Sequence, residues 1–158
     1  MPVDKAEFRT ALSRFASGIT VVTTRGADQR PHGITVSAFS SLSLEPPLVL
    51  ICIEKKAAIH NAFNESGAFV ANILAEDQER LSRLFASREA DKFEGIAYRQ
   101  GIEGVPVLEG SLASLECRIR HAYEGGDHTI FVGEVEATVT RDGQPLVYFK
   151  GGYARLSA

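Results

Sequence analysis

The stretch GITVSAFSSLSLEPPLVLICI, residues 33–53, decides how this chain is read. It opens as a β-branched strand, with Ile34, Thr35 and Val36, and closes as the apolar run Leu48–Ile53. Between them stand Ser37, Ala38, Ser40, Ser41, Ser43 and the pair Pro46-Pro47. Two segments that belong in a core are joined by hydroxyls and small residues. Read locally, the serines are a polar strand end before a proline corner.

Working outward, His32–Phe39 reads as the return arm of a hairpin. Its first arm is Ile19–Thr24, and RGADQRP is the polar turn between them. Leu48–Ile53 predicts a third strand, buried on both faces. Upstream, Phe8, Ala11, Leu12 and Phe15 recur at helical spacing, which predicts a helix from Asp4 to about Ser17. Asp4 can cap it, Glu7 takes the capping-box position, and Gly18 stops it. Downstream, KKAAIHNAFNESG predicts a short helix ended by Gly67. Ala68–Leu74 follows as a strand. EDQERLSRLFAS then reads as a helix with acids in its first turn and Arg83 late, in keeping with the helix dipole.

READKFEGIAYRQGIEGVPVLEG reads as a long irregular segment, a length that is uncommon unless the loop is functional or disordered. The last third is all strand. Leu115, Cys117, Ile119, His121 and Tyr123 alternate onto one face, as do Phe131, Val135, Ala137 and Val139. Gly133 on the second face predicts a bulge or a close backbone approach. RDGQP carries an Asp-Gly hairpin signal, and PLVYF reads as the last strand. About seven strands with three short helices, joined mostly by turns, predict a closed or nearly closed antiparallel barrel rather than a doubly wound sheet. One domain over residues 1–158 is the simplest organisation.

Hydrophobic residues make up 44% and charged residues 23%, enough for a core without disulfides or a structural metal. The net charge of -3 implies no basic face, so nucleic acid is not an expected partner. No apolar run approaches the roughly 18 residues of a membrane span, and MPVDKAEF lacks a signal-peptide core. The expected location is cytoplasmic, with no membrane partner. Cys52 and Cys117 fall in predicted strands and read as buried thiols. His32, His60, His121 and His128 form no zinc-type spacing, so no metal is expected. The phosphate-binding glycine loops and the G-x-S-x-G elbow are missing too. Any nucleotide cofactor must bind without a Rossmann fingerprint. A Ser-His-Asp triad assembles in space, so sequence leaves it open, but nothing points to one.

Taken together, FRTALSRFASGITVVTT, HGITVSAFSSLSLEPPLVLICI, SGAFVANIL, LSRLFASREADKF, PVLEGSLASLECRI, GGDHTIFVGEV and PLVYFKGGYARL stand in one order along residues 7–156. In that order the chain resembles the flavin reductase-like domain family. Its fold is the FMN-binding split β-barrel, antiparallel and Greek-key in type, mostly β with short peripheral α-helices. Its members are reductase components of two-component flavin-dependent monooxygenases. The resemblance implies an NAD(P)H:flavin oxidoreductase using FMN or FAD, with NADH or NADPH as co-substrate. It also implies a homodimer and a separate monooxygenase component. The alternative is a flavin-binding or electron-carrier protein without turnover on the same fold. A pyridoxamine-phosphate-oxidase-type barrel is a further rival. The G-D-H signature within GGDH favours the reductase over both.

The resemblance implies that Thr35, Val36, Ser37 and Ala38 contact the flavin ring, and that Ser40 and Ser41 lie toward its phosphate. The residue types suit this. Small side chains admit a planar ring, backbone N–H groups meet its polar edge, and hydroxyls donate to phosphate oxygens. Arg88, Asp91, Lys92 and Phe93 are implied to touch flavin or nucleotide, with Lys55 a weaker candidate. His128 is implied as an orienting group at the reaction centre, with Asp127 either orienting it or making the turn. Gly151, Gly152 and Tyr153, with Tyr148 nearby, are implied to flank the nicotinamide.

Overall fold

The computed structural model describes residues 1–157. In chain order the elements are α1 (Lys5–Leu12), β1 (Ser17–Gly18), β2 (Thr20–Arg25), β3 (Pro31–Val36), β4 (Phe39–Ser43) and β5 (Leu48–Glu54). Then come α2 (His60–Ser66), β6 (Ala68–Ile73), α3 (Glu79–Ala86), β7 (Tyr98–Gln100) and β8 (Pro106–Leu108). The long strands β9 (Ala113–Gly125) and β10 (His128–Thr140) follow, and the short β11 (Val147–Phe149) and β12 (Gly152–Ala154) end the chain. The fold is mostly β, as the sequence predicts.

Seven strands form one antiparallel sheet in the order β3-β2-β6-β9-β10-β5-β4. Its two end strands, β3 and β4, are sequence neighbours joined only by Ser37 and Ala38. A sheet whose ends are tied by so short a link has to curl until those ends meet. The result is a barrel with a split between β3 and the β4–β5 side. Residues of alternate parity fill the interior, among them Val22, Val36, Ile51, Phe69 and Phe131. α2 plugs one end with Phe63, stacked on Phe131 at 5.4 Å and edge-on to Phe69 at 6.5 Å. Full burial of each such side chain contributes about 1.5–3 kcal/mol.

Gly133 fulfils both parts of its sequence reading. A Cβ there would lie 2.7 Å from the Phe69 ring and 2.8 Å from the Cys117 Cβ. The β9–β10 register also shifts between Val132 and Gly133. A second apolar cluster lies between the sheet and α3, built from Val21, Leu74, Phe85 and partly buried Phe93. Asn72, fully buried, ties the sheet to its outer segments. Its amide donates to the Val21 carbonyl at 2.9 Å, and its Oδ1 accepts from Leu108 N–H at 3.0 Å and from the Ser114 hydroxyl at 2.8 Å. All of its polar groups are thereby used, as a buried amide requires.

Several local expectations change. Asp4 caps α1 as predicted, accepting from Glu7 N–H at 2.8 Å, but the helix stops at Leu12 rather than Ser17. No residue of α1 is buried, so tertiary packing does not extend it. β5 alternates buried and half-buried residues instead of being buried on both faces. Cys52 falls on the half-buried face, and only Cys117 is buried. The expected irregular segment contains the paired strands β7 and β8. All three residues of β7 are exposed, so periodicity carries no signal there. Asp142-Gly143 does not join a hairpin, because β11 leaves β10 to pair with β1 and β12. PLVYF is not the last strand either. Lys150 and Gly151, with φ of +50° and +76°, turn the chain back into β12.

Candidate active site at the split of the barrel

β3 ends the sheet, so one side of its backbone has no strand partner. β5 is paired by β4 only as far as Ile51, with Cys52 N–H donating to the Ala38 carbonyl at 3.1 Å just beyond. Past that bond, the β4-facing side of Ile53 and Glu54 is open as well. A cavity of about 220 Å³ lies at this gap. Ile34, Thr35, Val36, Ser37 and Ala38 form one wall. Cys52, Ile53, Glu54 and His128 form the other. The split therefore gathers the four residues for which the resemblance implies flavin-ring contacts, together with His128.

His128 arrives by strand register. It opens β10 opposite both Glu54 of β5 and Gly125 of β9. The two-residue turn Gly126-Asp127 precedes it, with Gly126 at φ +71°, where a hairpin of this kind favours glycine. The Asp127 carboxylate accepts from His128 Nδ1 at 2.7 Å. That hydrogen bond, followed by the charge interaction with the ring, holds the Asp127 carboxyl below the usual carboxylate range. An ionised carboxylate only accepts, so Nδ1 carries the proton in this hydrogen bond. The Lys55 backbone N–H donates to the Asp127 carbonyl at 2.9 Å, and the Lys55 ammonium is paired with Glu124 of the same hairpin. Lys55 thus braces the turn from outside the cavity.

Thr35 turns its hydroxyl away from solvent, donating to the Ser82 carbonyl of α3 at 2.6 Å. Ser37 and Ala38 are exposed at the link. Ser40 and Ser41 are exposed on β4, opposite Leu50 and Val49, and do not line the cavity. As successive strand residues they face opposite sides of the sheet, and the Ser40 hydroxyl donates to the Ser41 carbonyl at 2.8 Å. The Arg88–Phe93 segment also lies outside the cavity. Arg88 and Asp91 are exposed, and the Asp91 carboxylate accepts from Phe93 N–H at 3.3 Å. The Lys92 ammonium donates to the Phe85 carbonyl at 3.3 Å, and burial lowers its pKa. Phe93 packs edge-on to Phe85 at 5.1 Å. A Cβ at Gly33 would clash with the Phe85 ring at 2.7 Å and stand in ordinary contact with Phe93 at 3.4 Å. This loop is thereby held against the outer face of the strand that walls the cavity.

Gly151 lies in the turn of the β11–β12 hairpin and Gly152 opens β12, both outside the cavity wall. Tyr153 shares a hydrogen bond with the Ser82 hydroxyl at 2.7 Å and meets Tyr148 edge-on at 5.5 Å. Sequence reasoning passed over Cys52 and Glu54 as cavity residues. Their signal is the β5–β10 register, which places Glu54 beside His128 and is not written in either segment alone. Burial pushes the Cys52 thiol up, so at neutral pH it stands in the wall as a neutral group. Among the described residues no group of three or more His, Cys, Asp or Glu side chains is placed to hold a metal.

Flavin fits this gap on the structure's own terms. The edge of β3 and the β4-facing side of Ile53 and Glu54 in β5 lack strand partners, the Ser37-Ala38 link from β3 to β4 carries small side chains, and His128 stands across the gap. These features match a planar apolar ring with a polar edge. The family model described as Flavin reductase like domain matches residues 12–157, and the chain belongs to that family. It is similar to the reductase component of 4-hydroxyphenylacetate 3-monooxygenase from Thermus thermophilus, 46% identical over 96% of this chain and 97% of the relative. It is 44% identical to FMN reductase (NADH) SmoA from Agrobacterium fabrum, over 95% of this chain and 85% of that one. Among solved structures, NADH:FAD oxidoreductase SgcE6 of Streptomyces globisporus, in complex with NAD and FAD fragments, superposes with a TM-score of 0.92. It is 38% identical and covers 98% of this chain and 93% of that one.

Proposed function

We propose that this chain is an NAD(P)H:flavin oxidoreductase that supplies reduced FMN or FAD to a separate monooxygenase component. The observation that carries this reading is the cavity at the split, walled by Thr35–Ala38 on one side and by His128 on the other. Bound flavin supplies the hydride acceptor for a reduced nicotinamide. The protein's part is binding, orientation and electrostatics. Unpaired N–H groups of β3 and the Ser37-Ala38 link hold the polar edge of the ring. Donors of that kind stabilise negative charge as it develops. Ala38 keeps the ring face clear, and Ile34 and Val36 exclude water beneath it. His128, fixed by Asp127, orients the nicotinamide. Ser40, Ser41, Arg88, Lys92 and Lys55 lie outside the cavity and are proposed to serve the ribityl phosphate or the nucleotide tail, which extend beyond a ring-sized cavity. The Asp91 and Phe93 contacts favour a shaping role for that loop.

The reductase names of the relatives support turnover over a carrier without it. No helix among the described residues is long and apolar enough to cross a membrane. We place the protein in the cytoplasm, where reduced nicotinamide is available, and read residues 1–158 as one domain. A homodimer is proposed on a separate observation. α1 and the turn after it expose Phe8 at 57%, Leu12 at 54% and Phe15 at 80%. Such an apolar stripe is what a second copy would cover. Phe15→Asp should then convert a dimer into a monomer in sedimentation. A steady-state assay of NADH and NADPH against FMN, FAD and riboflavin tests the enzyme reading. Saturable turnover with at least one pair is expected. Flavin binding without NAD(P)H oxidation would favour the carrier.

A further inference from the structure

We propose that Ser82 is a positioning residue that ties the β11–β12 hairpin to the cavity strand β3. This rests on the flavin reductase reading, with the β11–β12 hairpin taken, as the resemblance implies, to flank the nicotinamide, and adds a residue to it. Ser82 lies in the middle of α3 and is fully buried. A serine there ordinarily bonds back to the preceding helical turn. Here its two polar groups go to two other elements. Its carbonyl accepts the Thr35 hydroxyl at 2.6 Å, and its hydroxyl pairs with the Tyr153 hydroxyl at 2.7 Å. Thr35 lines the cavity, and Tyr153 lies on β12. The neighbouring Arg83 places its guanidinium 4.7 Å from the centre of the Tyr153 ring. One turn of α3 thus holds Tyr153 by its hydroxyl and by its face.

The hairpin needs such a hold. β11 and β12 are three residues each, and their sheet is completed only by the two-residue β1. A ribbon this short is not stable by itself. Apart from that pairing, Lys150 N–H donates to the Ser13 carbonyl at 2.9 Å at the hairpin tip. The Tyr153 hydroxyl pairs with Ser82, and through that bond Tyr153 fixes the position of its hairpin. The two arms separate chemically. Ser82→Ala removes the bond to Tyr153 but keeps the carbonyl that Thr35 uses, whereas Thr35→Val removes only the other arm.

Steady-state kinetics, flavin titration and hydrogen exchange of the holoenzyme test this. Ser82→Ala and Tyr153→Phe should each raise KM for the reduced nicotinamide roughly 5–10-fold, with flavin Kd within about twofold of wild type. The double variant should be no worse than either single one, as expected of two ends of one bond. Amides of Gly152–Ala154 should exchange faster in both variants, whether or not the protein turns over. Thr35→Val should instead raise flavin Kd. Unchanged KM and unchanged exchange in both Ser82→Ala and Tyr153→Phe would overturn the proposal. So would an equal rise in flavin Kd, which marks general loosening. A wild type that oxidises no NAD(P)H while its variants show the faster exchange would contradict the reductase reading but not the tie.

Discussion

Around Gly133 the barrel wall is sealed; around Ala38 it is open. At Gly133 β10 is paired on both sides, by β5 directly and by β9 across a register shift, and the Phe69 ring fills the space where a side chain would stand. At Ala38 the two ends of the same sheet are joined covalently but not by a ladder, and a cavity lies between them. Both regions use small residues. On the sealed side smallness admits another part of the protein, and on the open side it leaves room for a ligand. The difference teaches that a small residue in a strand is structural or functional according to what its neighbour in the sheet is doing.

The contrast can be broken first on the sealed side. Phe69→Ala removes a fully buried ring that touches both Phe63 and the Gly133 backbone. It should cost about 3–5 kcal/mol in urea denaturation. Gly133→Ala inserts a methyl 2.7 Å from that ring and should cost about 1–3 kcal/mol. On the open side the expectation reverses. Ala38→Leu adds more bulk than Gly133→Ala, yet should change stability by no more than about 0.5 kcal/mol, because it fills an exposed cavity. A large loss there would mean that the split is packed in solution.

A further effect appears only at high pH. Burial, with Glu116 and Glu136 adding to it, pushes the Cys117 thiol up to about 12 from an ordinary 9.0. The folded state therefore holds its proton longer than the unfolded state. Stability from this group is complete below pH 9 and declines as pH rises toward 12. Cys117→Ala should flatten that part of the stability–pH curve relative to wild type. Cys52→Ala, on the half-buried face, should flatten it less.

Much of the sealed side was legible in the sequence, because alternation and a misplaced glycine are local signals. Phe131, Val135 and Gly133 gave the face and the close approach without any knowledge of partners. The cavity-lining part of the open side was legible too, through Thr35–Ala38 and His128 of the GGDH turn. What escaped were consequences of pairing. Glu54 joins the site because it sits opposite His128, and β7 forms because β8 lies beside it. The face that Ser40 presents is fixed by its register with Leu50, not by its place in a run of serines. The same holds at the end of the chain, where β12 exists because Lys150 and Gly151 reverse direction and Ser82 receives Tyr153.

The most direct test of the account is the flavin dependence of NAD(P)H oxidation, measured for wild type and Ala38→Leu side by side. If the split seats the flavin, wild type saturates with flavin. Ala38→Leu should need roughly tenfold more flavin or beyond, a loss of about 1.4 kcal/mol, while keeping its denaturation midpoint. Superimposable flavin curves for the two proteins would contradict the assignment of the site to the split.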